Sequence, residues 1–394
     1  MIASLKRFTL SLLRFLFRLT AIGHKKKRIL LVANNSLMFD YVNHLRRLVD
    51  SDSRLSFVIT APSKTEFGSF AERCRSENLS RSGYLRSRLL PWDLIVFADH
   101  WIAPSFDPAS KKLLVNHAIS GGKIVHGLPY RYNPDLINYP DGRRLYDRIF
   151  EASQEICNRV LAHQPDLTDV IAVVGDLRAD QLLAMQADRE EIRQRLGFEK
   201  SEIVVLVQST WGPSIMESMG RELIAQCRRL TKQNRYRFIL STHPKHWSGA
   251  YAEKHPWGKF LLGQEGDDFV IAKPEDDWAP LMIASDITLT DHTSLAVTYA
   301  LLGKPMLYVA LPEAKLVEQF PVWKLSRVLP QLSEPETLEA DLQKALTQFP
   351  ADEVAAIAAE IVAYPGEAAN RMTKHFYELL NLSPAAREIR QSSK

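Results

Sequence analysis

The sequence predicts an α/β protein with two parallel sheets, and three observations carry that expectation. Apolar, β-branched runs recur between helical stretches without the alternation of a half-exposed sheet, which is the pattern of parallel strands buried on both faces. The chain has 394 residues, enough for two or three domains at about 150 residues each. Its 46% hydrophobic and 24% charged content is that of a globular chain able to bury a sizeable core.

The first element is an amphipathic segment. No acidic residue precedes Asp40, yet Lys6, Arg7, Arg14, Arg18, Lys25, Lys26, Lys27 and Arg28 all do. With those eight removed from the 50 lysines and arginines, 42 remain against 46 acidic residues, so the net charge of +4 belongs to the N-terminus. On a helical wheel Lys6, Arg7, Arg14 and Arg18 share an arc of about 120°. Leu5, Phe8, Leu12, Phe15, Leu16 and Leu19 take the other side, while Leu10 and Phe17 interrupt the polar face. No uncharged run reaches the ~20 residues of a membrane span, and Arg14 and Arg18 break what would be a signal-peptide core. A helix lying in the membrane interface is expected over residues 1–24, with Lys25 to Arg28 against anionic headgroups. A leader helix packed on the protein is the alternative. Arg73, Arg75, Arg81, Arg86 and Arg88 form a second basic cluster, facing the same membrane or a phospholipid-linked acceptor, with a solvated loop as the competing reading. Nucleic-acid binding is not expected without a basic face elsewhere.

A first domain over residues 25–185 takes its strands from Arg28 to Ala33, Leu55 to Thr60, Leu94 to Ala98, Lys112 to Val115 and Val170 to Val174. The charged segment Asp188 to Lys200 reads as a surface helix near the boundary. The second domain, residues 186–380, takes Ile203 to Gln208, Arg237 to Ser241, Phe269 to Ala272, Ile287 to Leu289 and Met306 to Ala310, followed by a polar tail over 381–394. Cys74, Cys157 and Cys227 are few, odd in number and widely spaced, which suggests neither a disulfide framework nor a zinc site and fits a reducing cytoplasm. Cys227 reads as core.

Residues 285–308 are the most informative stretch. The short strand Ile287 to Leu289 leads into a polar turn, Thr290 to Ser294, and then an apolar helical run, Leu295 to Leu302, closed by Gly303 with Pro305 beyond. The first turn of such a helix has unpaired N–H groups and a partial positive charge, so Thr293 and Ser294 stand where a phosphate is best held. Ser and Thr are also ordinary N-caps, and a purely structural cap is the competing reading.

The order Asp-Ile-Thr-Leu-Thr-Asp291-His292-Thr293-Ser294, eight helical residues and Gly-Lys-Pro resembles the donor-site motif of the CDP-glycerol glycerophosphotransferases, which include teichoic acid primases and polymerases. That family usually shows Thr-Asp-Tyr-Ser-Ser at the turn; His292 stands here for the Tyr and Thr293 for the first Ser. Gly175-Asp-Leu-Arg178-Ala-Asp180 resembles its Gly-x-Pro-Arg-x-Asp, with Leu177 for Pro. Ile203 to Gly212, ending Ser209-Thr210-Trp211-Gly212, resembles the strand and Pro-Thr-Trp turn that open its second domain. Thr242-His243-Pro244 matches its Leu-x-x-His-Pro element. The resemblance spans about residues 113 to 309 and implies the GT-B arrangement, two Rossmann-type domains facing a central cleft.

The resemblance also implies roles. A His-Gly turn followed by Lys carries the family's general base. Two candidates compete: His117, with Lys123 after it but Ala118 for Gly, and His126, with Gly127 but no Lys closely following. Either imidazole titrates near neutral pH and can take a proton from an attacking hydroxyl. His243 would stabilise the pyrophosphate as cytidine monophosphate leaves, with Lys245 and His246 as competing phosphate contacts. Thr293, Ser294, Asp291 and Thr210 form the expected donor phosphate set, with Arg178, Lys123 and Lys245 as further candidates. His243, His246 and His255 lack a carboxylate or Cys set at zinc spacing, so no metal ligand and no cofactor is predicted.

The expected function is transfer of glycerol phosphate or a similar polyol phosphate from a CDP-linked donor to a hydroxyl of a lipid-linked or cell-surface glycan, at the cytoplasmic face of the membrane. A nucleotide-sugar glycosyltransferase or 2-epimerase shares the fold and the helix-terminal phosphate site. A catalytically silent membrane scaffold is the reading from another class.

Overall fold

The computed structural model of the chain describes residues 12–17, 25–68, 70–100, 102–115, 124–125, 128–129, 133–139, 141–233, 235–266 and 269–384. These residues fall into two compact units, each with its own parallel sheet.

The first unit holds strands β1 (Lys27–Val32), β2 (Leu55–Thr60), β3 (Ser80–Arg81), β4 (Leu94–Phe97), β5 (Lys111–Leu114), β8 (Arg148–Glu151) and β9 (Ile171–Val173). They lie in the order β3-β2-β1-β4-β5-β8-β9, and every pairing is parallel. Leu30 sits opposite Val58 on one side and Ile95 on the other. All four residues of β4 are buried, as an unalternating apolar run requires. Helix α1 (Ser36–Arg47) starts where the Asn35 side chain accepts the Met38 N–H at 2.9 Å, and it buries Met38, Phe39, Val42 and Leu45 at helical spacing. Helix α2 (Tyr84–Leu89) leads into β4. The short strands β6 (Ile124–Val125) and β7 (Leu128–Pro129) form an antiparallel hairpin that groups with the second unit.

The second unit holds β10 (Ile203–Ser209), β11 (Tyr236–Thr242), β12 (Phe269–Ala272), β13 (Ile287–Thr290) and β14 (Met306–Tyr308), parallel throughout, in the order β12-β11-β10-β13-β14. Helix α3 (Ile215–Thr231) follows β10, α4 (Trp278–Ala284) follows β12 and α5 (Ser294–Ala300) follows β13. Cys227 lies on the buried face of α3 with Leu223, Ile224 and Leu230, and burial pushes its thiol up.

The α/β class and the two parallel sheets agree with the sequence reading, and each of the ten expected strands is present. β8 went unread because its apolar core is only Ile149-Phe150 between two charges, too short a run to carry a periodicity. Two boundaries differ. The change of unit comes at Leu177 and Arg178, and Arg189–Arg195 is a helix that is not wholly at the surface: Arg193 is buried and bonds Asp286 at 3.0 Å. The last helix, α6 (Ala368–Leu380), expected in the second domain, belongs to the first unit. Its Met372, Phe376, Tyr377, Leu379 and Leu380 complete that unit's core, and Tyr377 Oη donates to Asp52 at 2.9 Å. An apolar helical stripe reports that a helix is covered, not which sheet covers it.

Candidate functional site

In a parallel sheet every strand delivers its following loop to the same edge. At the carboxyl edge of the second sheet, β10 turns through 210–214 into α3, β11 into Pro244–His246, β12 into α4 and β13 through 291–293 into α5. β10 is the strand from which the order runs outward in both directions, to β11 and to β13. Open α/β sheets bind ligands outside the carboxyl ends at such a reversal.

Asp291 lies at that reversal and is fully buried. Its carboxylate accepts the Thr210 N–H through both oxygens at 3.1 Å, the Ile215 N–H at 3.1 Å and the Thr293 N–H at 3.1 Å, and Ser209 Oγ lies 3.3 Å away. Ile215 is the first residue of α3 and Thr293 caps α5, so one carboxylate ties together two helix starts and the turn between β10 and α3. A buried carboxylate is stable there because amide N–H groups and two helix N-termini face it. Asp291 therefore organises the turn after β10 and the start of α5, its oxygens taken by three backbone N–H groups and the Ser209 hydroxyl. Ser209, which replaces the family's Pro, joins the network by accepting the Met216 N–H at 3.2 Å.

Thr293 accepts the Leu295 N–H at 3.4 Å as the cap of α5, and Ser294 begins the helix. Thr210 is buried in the turn. Gly212 has φ of +77°, a left-handed backbone that a side chain would strain, and its N–H donates to Tyr251 Oη at 2.9 Å. Ser214 caps α3 through the Glu217 N–H at 3.3 Å.

His243 follows β11, and its Nδ1 accepts the Lys245 N–H at 3.2 Å. In the neutral ring the proton is then on Nε2, which makes that nitrogen the donor. The ring lies 6.1 Å from Trp211, centroid to centroid, and Lys245 Nζ sits 3.2 Å from the Trp211 ring centre, where burial lowers its pKa. His246 is buried, with Nε2 3.2 Å from the Thr210 carbonyl and Nδ1 3.4 Å from that of His255. It braces the Thr210 turn from below.

Glu217 is the residue that sequence reasoning missed. Its carboxylate lies 3.0 Å from His255 Nδ1 and 3.8 Å from His246 Nδ1. The signal was the capping box Ser214-x-x-Glu217 at the start of α3. The carboxylate beside His246 and His255 thus exists in space, although among the described residues no group of three such side chains is placed to hold a metal ion. Arg178 lies on the same edge, 4.5 Å from the Trp278 ring centre and 3.5 Å from Asp277, the cap of α4. Lys304, of the Gly-Lys-Pro, donates to the carbonyls of Met282, Ile283 and Ser285 at 2.6–3.1 Å, so it closes the end of α4. His117, His126 and Lys123 lie outside the described residues.

Residues 132–315 match the model of the family CDP-Glycerol:Poly(glycerophosphate) glycerophosphotransferase. Among solved structures, the wall teichoic acid polymerase TagF is similar over 96% of each chain, with a TM-score of 0.65 and 12% identity. The S. aureus MnaA structure with UDP has a TM-score of 0.56 at 13% identity over 92% of this chain and 99% of that one. A UDP-GlcNAc 2-epimerase from Neisseria meningitidis has 0.54 at 14% over 90% and 99%. No curated protein sequence matches. All four motifs read from the sequence fall inside the matched span, over which the chain is similar to that glycerophosphotransferase family, and the match marks it as a transferase.

Proposed function

We propose that this chain moves glycerol phosphate, or a similar polyol phosphate, from a CDP-linked donor to a hydroxyl of a lipid-linked or cell-surface glycan, at the cytoplasmic face of the membrane. The observation that carries the donor assignment is the Asp291 carboxylate, which gathers the starts of α3 and α5 at the reversal of the second sheet. The first N–H groups of α3 are taken by Asp291, Ser209 and Ser214, so the donors for a pyrophosphate are the Ser294 N–H and the Thr293 and Ser294 hydroxyls at the start of α5.

In the proposed reaction the acceptor oxygen attacks the phosphorus that bears the polyol, forming a new P–O bond. The bond from that phosphorus to the cytidine monophosphate oxygen breaks, and the leaving group departs with the electron pair. His117 takes the acceptor proton, with His126 as the competing base. His243 donates from Nε2 to the leaving phosphate, and the Lys245 ammonium adds positive charge. Positioning and electrostatics thus supply the catalysis, as phosphoryl transfer requires.

Helical residues 12–17 support the membrane part of the reading. Leu12, Leu13, Phe15 and Leu16 are 40–55% exposed there, a large apolar area to leave in water. No helix among the described residues is long and apolar enough to cross a membrane, and a helix lying in the interface needs no such length.

A donor screen with product mass tests the function. Release of CMP with a polyol phosphate added to the acceptor is the expected result. Turnover of an NDP-sugar, with nucleoside diphosphate released or the sugar epimerised, would establish the second reading, which the likeness to the 2-epimerase fold favours. Donor or lipid binding without turnover would establish a scaffold.

A further inference from the structure

The first unit has a cavity of about 320 Å³ lined by Lys25, Lys26, Lys27, Arg28, Arg54 and Trp92, with Asp93 as its one acidic wall residue. Two of these cations are already compensated: Arg54 bonds Asp52 at 2.6 Å, and Lys27 lies 3.4 Å from Asp93. Asp93 is further committed to the Arg28 N–H at 2.8 Å. Lys25 and Lys26 are exposed and have no hydrogen-bond or ion-pair partner among the described residues. Arg28 lies half-buried with its guanidinium 4.7 Å from the Trp92 ring centre. Burial, and the like charge of Arg86 more weakly, act against the Arg28 cation, with Asp93 opposing them. An anion in the cavity would relieve that cost.

Helix α2 lies near the cavity, close enough for the Arg86 charge to act on Arg28. The cavity wall at Pro91 and Trp92 continues directly from α2, and Arg28 donates to the Pro91 carbonyl at 3.4 Å. Leu85 on α2 is 72% exposed, the highest value among the large hydrophobic residues that the structure describes. Arg14, between Leu13 and Phe15, reaches the Arg88 carbonyl of α2 at 3.3 Å and the Ser105 carbonyl at 3.1 Å. This contact brings the exposed side chains of residues 12–16 to the helix that carries Leu85, although about 70 positions separate them in the chain. Apolar side chains beside a cationic hollow match a lipid bilayer, whose acyl boundary lies directly under its anionic phosphates.

We infer that this cavity is a binding site for the phosphate headgroup of an anionic membrane lipid, with Lys25, Lys26 and Arg28 as its contacts and Leu85 as a second apolar insertion point beside residues 12–16. The inference rests on the membrane reading above and deepens it: the attachment is a shaped site on the first unit, not only a charged helix.

The test is co-sedimentation of the full chain with vesicles of equal parts phosphatidylcholine and phosphatidylglycerol. The pair Lys25→Gln with Lys26→Gln should lower vesicle affinity about tenfold or more. Lys200→Gln with Lys232→Gln, which removes the same charge from exposed positions on the second unit, should leave it unchanged. Arg28→Lys, which keeps the charge and loses the planar fork, should also weaken binding. Equal losses from the two lysine pairs, or full binding by the first pair and by Arg28→Lys, would overturn the site while the membrane reading stood. Wild-type protein that does not sediment would overturn both. Inorganic phosphate that binds the cavity tightly without vesicles would assign it to a soluble phosphate instead.

Discussion

Both carboxylate oxygens of Asp291 accept the backbone N–H of Thr210, each at 3.1 Å. Because Ile215 and Thr293 bond the same carboxylate, the loops after β10 and β13 are held as one surface. Asp291→Asn should break that surface, since the amide nitrogen would face N–H donors. We expect donor affinity to fall tenfold or more and stability by about 1–3 kcal/mol, as one buried donor is left unmet. Calorimetric titration of CDP-glycerol and denaturant unfolding check the two separately, and unchanged values in both would remove Asp291 from this role.

Thr293 and Ser294 act at the helix start itself. Thr293→Ala with Ser294→Ala should weaken donor binding and cost about 1 kcal/mol of stability through the lost cap. A wild-type donor dissociation constant would remove these hydroxyls from the donor site.

The base is decided by kinetics. His117→Ala should lower turnover by about 10²–10⁴-fold with little change in donor affinity. Wild-type turnover in that variant, with collapse in His126→Ala, would transfer the role to His126.

Asp52 gives the first unit an acid-sensitive tie. The hydrogen bond from Arg54, helped by that from Tyr377 of α6, lowers its pKa from 3.8 to about 2. A carboxyl depressed by folding stabilises the fold while it is ionised. Its contribution is therefore present above pH 3.8 and is lost as the pH falls toward about 2. Asp52→Asn should cost on the order of 1 kcal/mol at neutral pH, allowing for the solvent-facing side of the pair. The difference from wild type should shrink below pH 3.8. Thermal unfolding across that range measures it; a difference independent of pH would show that the charge is not involved.

Deleting residues 1–23 should weaken binding to anionic vesicles and slow transfer to a lipid-linked acceptor, yet spare transfer to a short soluble one. A deletion variant that still sediments fully would put the attachment on the remaining chain, with Leu85 and the Lys25 to Arg28 cavity as its elements.

By itself the sequence determined the α/β class, ten of the strands and the buried Cys227, and it marked Thr210, His243, Asp291 and Thr293 as motif residues. Each is written locally, in a run of apolar residues or in a polar turn between a strand and a helix, and local spacing survives without knowledge of neighbours. Strand order, partners and cover are not local. The sequence placed Asp291 among the phosphate contacts; the fold turned its oxygens to three amides of two separate loops. His246 read as a phosphate contact and stands under Thr210 instead, while Glu217 came to two histidines from a different helix. α6 read as part of the second domain, and its apolar stripe closed the first. In each case the deciding partner lies dozens of residues away, because burial and hydrogen bonding are satisfied by whatever the packed sheet brings within about 3 Å.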